Sequence, residues 1–595
     1  MRAFANPATY QVPAVGNLTD DVLRQVRERP DAIAFSRRRA GAWEDVDFAA
    51  FHREVVAVAK GLIAAGVEPG DRVALLSKTR YEWTLLDYAI WWIGAATVPI
   101  YETSSTDQVG WILADSGAVA CVVETEQHDS RVAEARDQAP ELRHVWTIDS
   151  EAIKTIEALG VDITDDEAER RRAAVTPDSR ATVIYTSGTT GRPKGCVLTH
   201  GNFMFELGVA TVELDRLFEL DGASTLLFLP LAHIFARIIQ VGCVRSGIRL
   251  GHSSNIKELT STLAEFQPTF LLAVPRVFEK VFNTASQRAH AEGKGRIFDA
   301  AAESAIRFSQ AQDGSRVSPL LRGRHAVFDR LVYAKLRGAL GGKVDYAISG
   351  GAPLGERLAH FFRGIGVPVL EGYGLTETTA ALTVNLPDSQ KIGTVGRPIP
   401  GTEVKVARDG ELLFRGGQVF GGYWNDEAAT ADALDPDGWF RSGDLGEIDD
   451  EGFVRITGRK KEILVTAGGK NVAPAALEDP IRAHALVSQC MVVGDGKPYI
   501  AALITLDAET LGPWAEQHGI EGDPARLINH PALRAEIQRA VDDANARVSQ
   551  AESIRKFRIL PIDWTEETGH LTPSLKLRRI HVMRDYAAEV ELLYS

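Results

Sequence analysis

The sequence predicts an α/β protein: a large N-terminal domain of layered α/β sheets plus a small β-barrel-like subdomain, followed by a small α+β C-terminal domain. Three observations carry this reading. At 595 residues the chain is too long for one hydrophobic core, so two or more domains are expected. Helix-like and strand-like apolar patterns alternate through its first three-quarters, the mark of mostly parallel sheets covered by helices. After the charged run Gly458-Arg-Lys-Lys461 comes a compact remainder with strand and helix patterns of its own. The boundary therefore falls there, dividing the chain into residues 1–458 and 459–595.

Taken in order, Phe48, Phe51, Val55, Val58 and Leu62 recur at helical spacing and stop at Gly66. Pro69-Gly70-Asp71 turns the chain into a strand over Arg72–Leu76. Further strand-like runs follow at Val119–Val123, Ala181–Tyr185, Thr225–Leu229, Thr269–Val274, Val344–Ile348 and Val367–Leu370. Residues 392–424, rich in Gly and short β-like runs, predict the small barrel-like part. Beyond 461, strands are expected around Cys490–Val493, Ile500–Leu506 and Arg558–Leu560, with a helix over 531–548.

Composition narrows the function classes. The chain is 45% hydrophobic and 25% charged, as ordinary globular proteins are, and its formal charge of −14 argues against general nucleic-acid binding. Cys121, Cys196, Cys243 and Cys490 are scattered without metal-ligand spacing, which predicts free thiols in a reduced, cytoplasmic protein. The N-terminus lacks the basic-then-apolar pattern of a signal peptide. The longest uncharged apolar stretch, Tyr88 to Tyr101, falls short of the ~20 residues a membrane span needs.

The most informative segment is Tyr185-Thr-Ser-Gly-Thr-Thr-Gly-Arg-Pro-Lys-Gly195. It packs three glycines, four Ser/Thr hydroxyls, one Arg and one Lys into eleven residues. Glycines let backbone N–H groups turn toward an anion, while the hydroxyls and Lys194 add donors and charge. As bare composition this is also a polar surface loop. The spacing is not that of a Walker A loop, since Pro193 interrupts the run before Lys194.

Six further segments follow. Leu229-Pro-Leu-Ala-His-Ile-Phe-Ala-Arg237 places His233 after a strand, where a histidine is as readily a satisfied core residue. Ser349-Gly-Gly-Ala-Pro-Leu354 contains Gly350, Gly351 and Ala352 at a strand's carboxyl end, where α/β sheets bind ligands. Glu371-Gly-Tyr-Gly-Leu-Thr-Glu-Thr378 offers Glu371, Gly372, an aromatic face (Tyr373), Gly374, a hydroxyl (Thr376) and a carboxylate (Glu377). Gly438-Trp-Phe-Arg-Ser-Gly-Asp-Leu445 contributes Asp444. Thr457-Gly-Arg-Lys-Lys-Glu-Ile463 carries Arg459 and Lys461. Near the end, Leu571-Thr-Pro-Ser-Leu-Lys-Leu-Arg-Arg579 carries Lys576, in what could equally be a solvated basic tail.

The 185–195 loop and these segments, in this order along essentially the whole chain, resemble the AMP-forming, adenylate-forming enzymes: acyl-CoA synthetases, luciferases and peptide-synthetase adenylation domains. The resemblance implies ATP, Mg²⁺ and CoA as cofactor and co-substrates. It implies that Thr186, Ser187, Gly188, Thr189, Thr190 and Lys194 wrap phosphates, and that Gly350, Gly351, Ala352, Glu371, Gly372, Tyr373 and Gly374 approach adenine. Thr376 would meet the α-phosphate, Glu377 would hold Mg²⁺, Asp444 would hold the ribose, and Arg459 would contact the nucleotide. His233 would sit beside the acyl carboxylate and Lys576 would bridge it to the α-phosphate. Lys461 would serve as the hinge of a mobile C-terminal domain, at about 459–462.

Ser-Leu-Lys in place of the commoner Ser-Gly-Lys, with Pro230-Leu-Ala-His-Ile-Phe and Ala326–Arg337, is similar to the long-chain fatty acid branch. The expected function is ATP-dependent activation of a long-chain fatty acid to acyl-AMP, then transfer to CoA. The alternative is a fatty acyl-AMP ligase that loads a carrier protein. The basic stretch from Arg316 to Lys343, seven Lys/Arg against one Asp, could meet anionic lipid or be a solvated helix with Phe328, Leu331 and Leu336 in the core. Because the family includes dimers, a homodimer is a further partner reading.

Overall fold

The computed structural model describes residues 2–39, 41–186, 192–218, 222–255, 258–314, 317–520, 527–572 and 576–595. Ser187, Gly188, Thr189, Thr190 and Arg316 lie outside these residues. Two large sheets organise the N-terminal part. The first has six strands in the order His144–Thr147, Ala120–Val123, Arg72–Leu76, Ala96–Ile100, Arg180–Thr186 and Lys194–Thr199. All its pairings are parallel except the last. The second has nine: Arg397–Pro398, Thr383–Val384, Val369–Tyr373, Tyr346–Ser349, Phe270–Ala273, Ser224–Leu227, Arg249–His252, Ile33–Arg39 and Ala42–Asp47. Its six central strands run parallel. Ala120–Val123 and Phe270–Ala273 are buried at every position, as parallel strands covered on both faces must be.

The layers are pinned by a buried charge. Arg237, on the helix Ile234–Ser246, and Asp87, on the helix Tyr81–Trp92, pair at zero exposure. Arg237 Nη1 donates to Thr182 Oγ1 at 2.6 Å, and Thr97 Oγ1 donates to Asp87 Oδ1 at 2.6 Å, so two strands of the first sheet are tied in. The guanidinium lies 5.3 and 5.2 Å from the ring centroids of Trp83 and Trp91. A buried pair of this kind is costly to break, because either partner alone would be an uncompensated charge.

A five-stranded antiparallel sheet follows, ordered Ala3–Ala5, Glu403–Val406, Glu411–Arg415, Phe440–Ile448 and Val454–Arg459. It reaches well past the expected 392–424, and Arg397–Pro398 belongs instead to the nine-stranded sheet. Its outer strand comes from the N-terminus, where three residues are too few to show a period.

The C-terminal strands Val487–Val493, Ile500–Leu506 and Ile554–Ile559 form one sheet, flanked by the helices Ala475–Arg482, Ala508–Gln517 and Pro531–Asn545. Its buried apolar clusters draw only on residues from Val472 onward. Ion pairs of Arg276 with Asp507 at 2.7 Å and of Lys280 with Glu509 at 2.9 Å help join this part to the rest.

The basic segment forms the helix Pro319–Phe328, none of whose residues is buried. Leu336 is buried and Phe328 packs partly on the core, but Leu331 is 53% exposed, so it is not a core residue. The π-helical turn Asp329–Tyr333 that follows buries Tyr333 in its place. Among the described residues, no helix is long and apolar enough to cross a membrane.

Candidate active site

Three parallel strands of the nine-stranded sheet end on the same edge, and their following loops carry the expected residues. After Ser224–Leu227 comes His233; after Tyr346–Ser349 come Gly350, Gly351 and Ala352; after Val369–Tyr373 comes the turn Thr376–Thr378. His233, Gly350, Gly351, Ala352, Thr376 and Glu377 border one cavity of about 3400 Å³, together with Thr186, Lys194, Asp444, Arg459, Lys461 and Lys576. Its lining includes the apolar side chains of Leu207, Leu214, Phe218, Ile238, Phe298 and Leu336.

His233 caps the helix that starts at Ile234, its Nδ1 accepting the Phe235 N–H at 3.2 Å. Burial, then the charge of Lys576, pushes its pKa down to about 4. The ring is therefore neutral at pH 7, and with Nδ1 accepting, the proton sits on Nε2.

Asp444 and Arg459 face each other across the antiparallel pair Phe440–Ile448 and Val454–Arg459. Arg459 Nε meets Asp444 Oδ1 at 3.0 Å, and the Tyr373 hydroxyl donates to Asp444 Oδ2 at 2.5 Å. Asp444 is 2% exposed, so both contacts act in a poorly solvated place. Tyr373 keeps its proton firmly: burial and the neighbouring Asp444 charge raise its pKa well above the ordinary value.

Lys576 is enclosed by the cleft although solvent reaches it through the cavity. Enclosure, then the charge of Arg459, pushes its ammonium below the ordinary lysine value, while Asp444, Glu377 and Glu462 oppose this. Its backbone is fixed by Thr572, whose N–H donates to the Lys576 carbonyl at 2.8 Å and whose hydroxyl accepts the Lys576 N–H at 3.0 Å.

Glu377 accepts the Tyr423 hydroxyl at 2.8 Å on Oε1, and its carbonyl accepts the Phe420 N–H at 2.8 Å. A carboxylate on the wall of a cavity roomy enough for phosphate oxygens is the donor type that Mg²⁺ takes. Lys194 lies 3.7 Å from Asp426 and 5.4 Å from the Tyr423 ring, on the same side of the cavity. Thr186 ends its strand beside Cys196, 3.8 Å from the sulfur.

Glu371 accepts the Leu354 N–H at 2.9 Å and so shapes the 350–354 loop. Burial raises its pKa to about 7, partly offset by that hydrogen bond. Gly374 has no alternative: a Cβ there would fall 1.3 Å from the Ala380 carbonyl oxygen. Lys461 is exposed in the turn Lys460–Glu462, while its neighbour Lys460 pairs with Asp409 at 2.6 Å and Glu411 at 3.0 Å. Two contacts escaped sequence reasoning, Tyr423 on Glu377 and Tyr373 on Asp444. No local pattern links residues 46 or 71 positions apart.

A profile of the AMP-binding enzymes matches residues 22–424, and one of the AMP-binding enzyme C-terminal domain matches 461–595. A long-chain-fatty-acid–CoA ligase of Mycobacterium bovis is 50% identical over 600 aligned residues covering all of both chains. Another of Xenopus laevis is 30% identical, covering 96% of this chain and 82% of its own. Among solved structures, the A-PCP didomain of a carboxylic acid reductase from Segniliparus rugosus, in complex with AMP, superposes with a TM-score of 0.74. The two are 22% identical, over 99% of this chain and 84% of the other. The o-succinylbenzoate CoA synthetase of Bacillus subtilis with ATP and magnesium gives 0.67 at 21% identity, over 94% and 98%. At these identities the structural matches speak to the fold alone. The sequence matches go further: this chain belongs to the AMP-binding enzyme family.

Proposed function

We propose that this chain activates a long-chain fatty acid with ATP and passes the acyl group to CoA. The observation that carries this is that apolar side chains such as Leu207, Phe218 and Ile238 line the same cavity as His233, Glu377, Asp444, Arg459 and Lys576. In the first step a fatty-acid carboxylate oxygen attacks the α-phosphorus of ATP. The bond to pyrophosphate breaks, leaving acyl-AMP. In the second the CoA thiolate attacks the acyl carbon and AMP departs. The carrier-protein alternative is not favoured, because the 50% identical relative that covers the whole chain is named a CoA ligase.

The residue roles follow from charge. An anionic nucleophile must approach a polyanion, so the site has to supply positive charge at the reacting phosphate. Lys576 would bridge the carboxylate and the α-phosphate, and Arg459 would add a second charge while Asp444 receives the ribose hydroxyls. Mg²⁺, when bound at Glu377, supplies further electrostatic neutralisation of phosphate oxygens. Neutral His233 would donate from Nε2 to an acyl oxygen. Thr186, Lys194 and Thr376 would contact phosphates, with Ser187, Gly188, Thr189 and Thr190 completing that loop. Gly350, Gly351, Ala352, Glu371, Gly372, Tyr373 and Gly374 would border the base.

The proposed units are 1–458 and 459–595, with Lys461 as the hinge at about 459–462. Supporting this, the C-terminal apolar clusters are self-contained and Lys461 is exposed between them and the five-stranded sheet. We place the protein in the cytoplasm, consistent with four free buried cysteines. Peripheral membrane contact would use the helix Pro319–Phe328, where Leu320 and Val327 are exposed beside Arg322 and Arg324. A homodimer rests on resemblance alone. The functional reading is tested by ATP–pyrophosphate exchange: exchange that requires added palmitate supports it, and exchange indifferent to any fatty acid contradicts it.

A further inference from the structure

Bordering the same cavity as Thr376 and Glu377 is a buried acid with no part in the chemistry above. Glu206, on the helix His200–Glu213, is 3% exposed, and its Oε1 accepts the Ala381 N–H at 3.0 Å. Its Oε2 is buried without a partner. The segment it grips is unusual: Thr379 and Ala380, neither of them glycine, adopt φ of +54° and +118°. Successive positive φ values in residues bearing a Cβ are held only where the surroundings impose them.

The surroundings here can be named. Thr379 Oγ1 donates to the Gln418 carbonyl at 2.7 Å. The Thr378 hydroxyl accepts the Leu375 N–H at 2.9 Å. The Phe420 N–H holds the Glu377 carbonyl at 2.8 Å. On the far side of the strained pair, Glu206 takes the Ala381 N–H. The turn is thereby clamped at both ends, by the segment 418–420 and by the helix that also walls the cavity through Glu206 itself, Leu207 and Ala210.

We infer that Glu206 is a positioning residue for the ATP half-reaction: by accepting the Ala381 N–H it holds the strained 379–380 turn that aims Thr376 and Glu377 into the cavity. The inference rests on the functional reading above for what those two residues meet. Burial drives the Glu206 carboxyl far above the ordinary range, and glutamine reproduces its shape and the oxygen that accepts the Ala381 N–H. Leucine keeps the volume and leaves the Ala381 N–H unpaired. A helix acid serving only the core would give neither substitution any preference between half-reactions.

The test compares Glu206→Gln and Glu206→Leu in the full chain. Three readouts are used: MgATP affinity by calorimetry, palmitate-dependent ATP–pyrophosphate exchange, and CoA thioester formation from synthetic palmitoyl-AMP. Expected for Glu206→Leu are weaker MgATP binding and exchange reduced about a hundredfold, the scale of a roughly 1 Å misplacement. Thioester formation from palmitoyl-AMP should stay near wild type, and Glu206→Gln should stay near wild type throughout. Equal loss in both half-reactions, or no loss in either, would overturn the inference. If Glu206→Leu fails to fold, Thr379→Val, which removes the other clamp, must show the same selective loss, and an unselective effect refutes the proposal. Were the wild type to make no acyl-AMP, the functional reading would fail, while MgATP calorimetry would still judge Glu206.

Discussion

Lys576 stands where three side chains of opposite character meet: Arg459 pushes its proton off while Asp444 and Glu377 hold it on. Its removal should therefore be felt where negative charges approach one another. Lys576→Ala is expected to lower palmitate-dependent ATP–pyrophosphate exchange by about 10²–10³, the cost of losing one electrostatic contact to a transition state. Thioester formation from supplied palmitoyl-AMP should be largely retained, and equal loss of both would count against the assignment. At this scale the sequence is legible for residue types held in short motifs, and blind to their partners. Asp444 and Arg459 are each visible in a motif, yet their 3.0 Å contact depends on strand register. Arg237 is visible only as the end of the His233 segment. Its buried partner Asp87 is 150 positions away in a helix that is apolar on every side.

Elements repeat the lesson. Strands such as Arg72–Leu76 and Ile500–Leu506 are read to the residue, because continuous apolar runs bounded by turns have few other meanings. Ala3–Ala5 and the extent of the five-stranded sheet are not, since short antiparallel strands draw their meaning from neighbours far along the chain. The turn Lys460–Glu462 matters for function if the C-terminal unit changes position between steps. Lys461→Pro should leave pyrophosphate exchange largely intact and depress thioester formation; equal loss of both would remove the hinge. The helix Pro319–Phe328 calls for a separate test. Vesicles carrying anionic lipid should retain the protein at low salt and release it at high salt. Failure to bind at low salt would leave the helix as a solvated face.

For the whole molecule, buried ionisable groups set how stability follows pH. His200, His233 and His252 are held neutral by burial, with pKa values of about 3, 4 and 4 against an ordinary 6.5. As pH falls below 6.5 the unfolded chain takes up these protons first, so stability declines through the window from 6.5 to 4. Glu371 acts in the opposite sense: raised to about 7, it favours the folded state at low pH and loses that contribution as pH rises through 7. Glu206, driven far above the ordinary range, adds to the carboxyl side, so the histidine contribution is read by difference. Between pH 6.5 and 4 the urea midpoint of the wild type should fall relative to that of His252→Asn, and parallel profiles would contradict the burial described. The overall architecture is legible because a chain of this length must divide its cores, and the αβ alternation fixes their type. The cavity is not legible, since its apolar lining is assembled from side chains as far apart in the chain as Leu207 and Leu336. Its existence makes the central claim directly measurable. The protein is incubated with MgATP and palmitate, with and without CoA, and the products are weighed by mass spectrometry. Palmitoyl-CoA that appears only when CoA is present is the expected result, whereas palmitoyl-AMP accumulating in the presence of CoA would contradict it.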